Sequence, residues 1–274
     1  MKTVKTVLAS ILAIITAASL TGCGVRHDSV VDITVDVVTP APVTEAPTEI
    51  PTETPEVTET PTPEPDITDV PTDRPDVTAP PSDQSVFDDA AFIGNSFFVG
   101  LYRYGVVTHG RFFTKVGLNV STVFTDPADE GSVPVIEELT NSEFKKVIIY
   151  LGTNELGWPN LNVFIQKYSG LLDAVWERIP EAEIFIVGIL PVTKAYSDGK
   201  GRQDGINNEN IANMNAALEA LANERGAHFI DVPEEMYDSD SALPANATTE
   251  GIHPNLAYDR IWAAHILMRV TEAQ

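Results

Sequence analysis

The 274-residue sequence holds a single cysteine, Cys23, so no internal disulfide framework and no cysteine-based metal cluster can form. Its five histidines include no pair at ligand spacing, so neither a metal nor a cofactor is expected. Basic residues are scarce. Seventeen Lys and Arg stand against 40 Asp and Glu, a formal net charge of −23 that argues against nucleic acid or an anionic membrane surface as a partner. No Gly-x-Gly-x-x-Gly or Gly-x-x-x-x-Gly-Lys-Ser/Thr sequence follows any candidate strand, which removes the common nucleotide-cradling loops.

What is present begins with a leader. Residues 1–22 carry Lys2 and Lys5, an apolar run from Val7 to Leu20, and then small residues. The run is too short and wrongly flanked for a spanning helix and has the form of a secretory signal. It ends in Leu20-Thr21-Gly22-Cys23, which resembles the lipobox of bacterial lipoproteins. That resemblance implies cleavage before Cys23, lipidation of its thiol, and a protein held by acyl chains at the extracellular face of the membrane.

Residues 23–85 are a low-complexity tether built from Thr, Pro, Glu, Val and Asp, as in Pro51-Thr-Glu-Thr-Pro55. Twelve of the 20 prolines lie between Pro40 and Pro81, and 14 acidic residues stand against one arginine between Asp28 and Asp83. Proline removes backbone donors and like charges repel, so this stretch cannot build a packed core and is expected to stay extended. At about 3.1 Å per residue in polyproline form it reaches on the order of 150 Å.

From residue 86 to 274 the pattern changes to alternating strand and helix. Candidate strands are Ala90–Gly94, Phe112–Val116, Lys146–Gly152, Glu183–Leu190 and His228–Val232. The last three are continuous β-branched runs, as parallel strands covered on both faces require. Candidate helices lie at Ser96–Tyr104, Val133–Leu139, Leu161–Ile179, Asn207–Arg225 and Pro254–Val270. Leu161, Phe164, Ile165, Tyr168, Leu171, Leu172, Val175 and Trp176 recur at helical spacing and read as core. The expected fold is α/β, a three-layer α/β/α sandwich with a central five-stranded parallel sheet and right-handed crossovers. In such a domain ligands bind at the carboxyl ends of the strands.

The unusual residues fall at those ends. Gly94-Asn95-Ser96 separates the first strand from its helix, Gly117 follows the second strand, and Gly152-Thr-Asn154-Glu155 follows the third. Glu250-Gly-Ile-His253 precedes the last helix. Taken singly, each has an ordinary reading. Asn95 and Ser96 suit a helix cap as well as a nucleophile, Asn154 suits a turn, Glu155 a solvated cap, and His253 a helix-terminal residue with a local hydrogen bond. His109 and His228 have no motif around them and read as structural.

Together and in order, these pieces resemble the four blocks of the SGNH hydrolases, also called GDSL-type esterases, from about Asp88 to the C-terminus. The resemblance implies a flavodoxin-like α/β fold and acyl-ester chemistry. Ser96 matches the nucleophile, His253 the general base, and Glu250 the acid that orients it. The amide of Ser96, the N–H of Gly117 and the side chain of Asn154 match the oxyanion hole. Two positions depart from the family pattern: Asn95 stands where Asp is usual, and Glu250 where the last block usually has Asp.

The expected activity is that of an extracellular serine esterase removing acyl groups, most simply acetyl, from a carbohydrate or other small ester. The expected partners are thus an acyl ester or acylated glycan, and the membrane through the lipid anchor alone. Trp158, Tyr196 and Tyr237 are placed in loops at the rim, where they would stack on sugar rings. The two departures motivate a second reading, a catalytically impaired surface lipoprotein acting as a glycan-binding or structural module.

Overall fold

The computed structural model describes residues 83–139 and 144–274. The leader, Cys23 and nearly all of the tether lie outside the described residues. Within them, β1 (Ala90–Gly94), β2 (Arg111–Thr114), β3 (Lys146–Tyr150), β4 (Glu183–Val187) and β5 (His228–Ile230) form one parallel sheet in the order β2-β1-β3-β4-β5. Register aligns Phe112, Phe92, Ile148, Phe185 and His228 in one row across the sheet. Phe92 stacks on Phe112 at 4.5 Å, and His228 stacks on Phe185 at 4.7 Å. His228 therefore serves packing.

Every residue of β1 and β3 is buried, which is why their sequences run apolar without alternation. Side chains still alternate between two cores. Ala91, Ile93, Val147, Ile149, Ile184 and Ile186 join the core formed with α3 (Leu161–Arg178) and α6 (Asn208–Arg225). Ala90, Phe92, Ile148, Tyr150, Phe185 and Val187 join the core formed with α1 (Ser96–Arg103) and α7 (Leu256–Glu272). These are the three layers that the sequence pattern predicts. In this strand order the crossovers change face between β1 and β3, so a crevice opens at their carboxyl ends.

The four long helices start alike. Asn95, Asn160, Asn207 and Asn255 each accept a backbone N–H at the first turn of α1, α3, α6 and α7. Each such cap contributes about 1 kcal/mol. Packing starts early in the described chain, since the buried side chain of Gln84 donates to the Val106 carbonyl and accepts from the Thr108 N–H.

Three differences from the sequence reading concern boundaries. β1 has the expected bounds, whereas β2 to β5 stop two or three residues earlier than the apolar runs, because their last residues turn into the loops that follow. A short α2 is confined to Val135–Glu138. The polar stretch from Pro191 to Gly205, which lies outside the candidate strands and helices, holds α4 (Lys194–Asp198) and α5 (Gly201–Asp204), each too short to show periodicity. The Thr193 hydroxyl, accepting from Tyr196 N–H, caps the first of them.

Gly152, at the end of β3, has φ +133°, and a Cβ there would lie 2.5 Å from Ile189 Cδ1. Both the backbone angle and the space require glycine. Gly152→Ala is expected to destabilise the domain by about 2–4 kcal/mol, read as a lower urea midpoint with unchanged slope.

Candidate active site

Ser96 is the first residue of α1, directly after the cap Asn95. The cap is fully buried; its Oδ1 accepts from Phe97 N–H at 3.2 Å, while its Nδ2 has no partner among the described residues. Asparagine thus acts here through the cap, a task it performs as well as aspartate. The start of α1 is fixed by aromatic packing. Phe97 lies 5.0 Å from Tyr150, Phe98 lies 5.6 Å from Trp262, and Tyr150 lies 5.0 Å from Trp262. Phe97 also packs against the ring of His253 at 4.6 Å.

Ser96 Oγ lies 2.9 Å from His253 Nε2, and His253 Nδ1 lies 2.8 Å from Glu250 Oε1. The carboxylate favours the tautomer with its proton on Nδ1, leaving Nε2 as the acceptor of the serine proton. The same Oε1 accepts the backbone N–H of His253. A local hydrogen bond at the helix entrance and the bond that orients the imidazole are therefore made by one atom. The longer side chain of Glu250 is accommodated because it curls back over its own turn.

That turn is held on three sides. The Thr248 hydroxyl accepts from the N–H of Glu250 and of Gly251. The Gly251 carbonyl accepts from Thr193 N–H at 2.9 Å. Asn255 caps α7 and donates through Nδ2 to the Asn246 carbonyl. Both His253 and Glu250 remain about half exposed, so the arrangement is open to solvent and to ligands.

Gly117 and Asn154 lie on the loops after β2 and β3, on either side of β1. Gly117 has φ +81°, a left-handed conformation that favours glycine, although a Cβ there would touch nothing. Its N–H makes no hydrogen bond among the described residues. Asn154 Nδ2 donates to the Leu118 carbonyl at 2.9 Å, which uses one of its two hydrogens and fixes the direction of the other.

Glu155, read from sequence as a solvated cap, is completely buried. Its Oε1 accepts from Val120 N–H at 2.8 Å, while Oε2 has no partner among the described residues. Burial pushes this carboxyl up to about 7, against the lowering effect of the Val120 bond. Glu155 and Asn154 together stitch the 117–120 loop to the 152–156 turn. The sequence signal for Glu155 was its place directly after Asn154 in a loop closing a buried strand. The signal for a second buried acid, Asp259, was clearer. It shares a helical face with the buried Trp262, Ile266 and Val270.

The expected rim aromatics separate. Tyr196 lines a cleft of about 1020 Å³ that includes Glu250, Gly251, Lys200 and Asp240, and its hydroxyl donates to Asp204. Trp158 instead packs against the core and lines a separate recess with Phe164 and Met214. Tyr237 lines neither of these clefts. His109 pairs with Asp88 at 2.6 Å and lines neither the cleft beside Glu250 nor the recess beside Ser96. No group of three or more metal-ligating side chains occurs among the described residues.

Among solved structures, the chain is similar to a GDSL-like lipase from Bacteroides thetaiotaomicron, with 18% identity over 72% of this chain and 93% of that one, at a TM-score of 0.52. A protein from Streptococcus pneumonia described as a platelet activating factor gives 21% identity, 66% and 83% coverage, and a TM-score of 0.53. These likenesses establish the fold. No curated protein matches significantly. The sequence model described as the GDSL-like Lipase/Acylhydrolase family matches residues 104–261, a span that begins after Ser96 and includes Glu250 and His253. With more than half of its length so matched, the chain belongs to the GDSL-like lipase/acylhydrolase family.

Proposed function

We propose that this protein is a serine esterase that removes acyl groups, most simply acetyl, from a carbohydrate or other small ester. The observation that carries the reading is the continuous hydrogen-bonded series from Ser96 through His253 to Glu250, with separations of 2.9 and 2.8 Å. In this mechanism His253 Nε2 takes the Ser96 proton as Oγ attacks the ester carbonyl. Glu250 stabilises the imidazolium so formed, and the proton then passes to the leaving alcohol. Water, activated by the same nitrogen, releases the acid from the acyl-serine.

The developing oxyanion is assigned to the N–H groups of Ser96 and Gly117 and to Asn154 Nδ2. Asn154→Ala is expected to lower kcat for p-nitrophenyl acetate by about 10²–10³-fold with a much smaller change in KM, the signature of a donor used in the transition state. The setting is proposed to be the outer face of a bacterial membrane, with Cys23 lipidated and residues 23–85 acting as the spacer. This part rests on the Leu20-Thr21-Gly22-Cys23 sequence and on the proline-rich composition. It puts the site among wall or environmental glycans, which motivates the carbohydrate ester.

A fluorophosphonate probe tests the reading directly. One label per chain, located on Ser96 by peptide mapping, is the expected result. A chain that remains unlabelled and fails to release p-nitrophenol from short esters would leave the binding-module reading in its place.

A further inference from the structure

A second, smaller recess of about 220 Å³ opens beside the nucleophile, between α1 and the start of α7. Its walls include Ser96, His253, Gly100, Arg103, Tyr104 and Asp259. Asp259 is the unusual member. Only 4% of it is exposed, and its carboxyl makes no hydrogen bond or ion pair among the described residues. Burial alone accounts for the upward displacement of its pKa, to about 7. A nearly buried acceptor without a donor is costly in a folded chain, and the place of Asp259 on the recess wall puts it where a ligand could supply that donor.

The neighbours indicate which ligand. Arg103 lines the same recess and is engaged with Asp129 at 3.0 Å, so a cationic group placed beside Asp259 would meet a guanidinium. An uncharged hydroxyl meets no such opposition. Tyr104, with 70% of its surface exposed, offers a flat apolar wall. Gly100 leaves the floor open, since a Cβ there would touch only the Tyr104 ring, at 3.8 Å.

We propose that this recess is the subsite for the alcohol half of the ester, and that Asp259 accepts a hydrogen bond from a hydroxyl neighbouring the acylated oxygen of a polyhydroxylated alcohol. The inference rests on the esterase reading and specifies its substrate. It gives the recess a role in both directions of acyl transfer. An alcohol bound there attacks the acyl carbon on Ser96, its proton passes to His253 Nε2, the bond from carbon to Oγ breaks, and Oγ takes the proton. The product is a new ester and free serine.

The test is the partition of the acetyl group. With p-nitrophenyl acetate as donor, the full chain is given glycerol or propan-1-ol at equal concentration, and new ester is measured against free acetate. At about pH 8.5, where Asp259 is ionised, the expected ester-to-acetate ratio is about tenfold higher for glycerol, the selectivity of one hydrogen bond to a charged acceptor. In Asp259→Leu, which removes the acceptor and keeps the bulk, the two alcohols are expected to give equal ratios. Each ratio is measured within one enzyme, so the amount of folded protein does not enter. Equal ratios in the unmodified chain overturn the subsite whatever the variant does, and so does a glycerol preference that persists in Asp259→Leu. An unmodified chain that releases no p-nitrophenol overturns the esterase reading itself, and the subsite with it.

Discussion

Ser96→Ala is expected to lower kcat for p-nitrophenyl acetate by about 10⁴-fold or more, and His253→Ala by a similar factor. The doubly substituted chain is expected to be scarcely worse than either single one. The reason is the geometry: Oγ and Nε2 share one proton across 2.9 Å, so removing either partner removes the same event. Glu250→Gln should retain the turn, because an amide oxygen still accepts the His253 backbone N–H. It replaces the carboxylate facing Nδ1 with a neutral group, which weakens both the choice of tautomer and the stabilisation of imidazolium. Steady-state kinetics on the four chains distinguish a unit from three independent contributors. Additive losses would show that Ser96 and His253 do not act together.

The second large effect is expected at Glu155, which touches none of the reacting atoms. Glu155→Ala leaves the buried Val120 N–H without an acceptor and opens a void, together costing about 2–4 kcal/mol of stability. The loop bearing Gly117 then loses one of its two ties to the turn bearing Asn154. A displacement near 1 Å between such groups is expected to lower kcat about 10²-fold. Glu155→Gln keeps the acceptor and should preserve most activity, while changing the response to pH.

The sign of that change follows from the weakened acidity of the buried carboxyl. The unfolded chain releases this proton near 4.5 and the native protein near 7. Between those values the native state binds more protons, so stability falls as pH rises, by roughly 3 kcal/mol over the window. Asp259 contributes in the same direction. Glu155→Gln is therefore expected to flatten the fall in stability between pH 4.5 and 7, measured by urea unfolding at several pH values. An unchanged slope would show that Glu155 is ionised throughout.

The fold was legible because parallel strands must be apolar on both faces and long helices must show a stripe. The 161–179 segment and the β-branched runs announce themselves. Strand ends were not legible, since the apolar character of Leu151 and Leu190 continues after the hydrogen-bonded ladder has stopped. In the candidate site, the order of the blocks along the chain singled out Ser96, Glu250 and His253, which the fold brings within hydrogen-bond distance, and Gly117 and Asn154, which it places on the two loops flanking β1. Glu155 could not be singled out, because an acid after a turn is usually solvated, and only the completed loop after β2 encloses it. The separation of Trp158 from Tyr196 was hidden for a similar reason. A loop aromatic declares its chemistry in sequence, but not the neighbour against which it lies.

The hydrogen bond from Ser96 to His253 joins residues 157 positions apart. The five strands pair with one another and not with α7, and His253 stands just before that helix, which docks through the fully buried Trp262. Ser96 and His253 therefore meet only where the first and last long helices are both in place, so their pairing belongs to the completed domain and to no shorter segment of it.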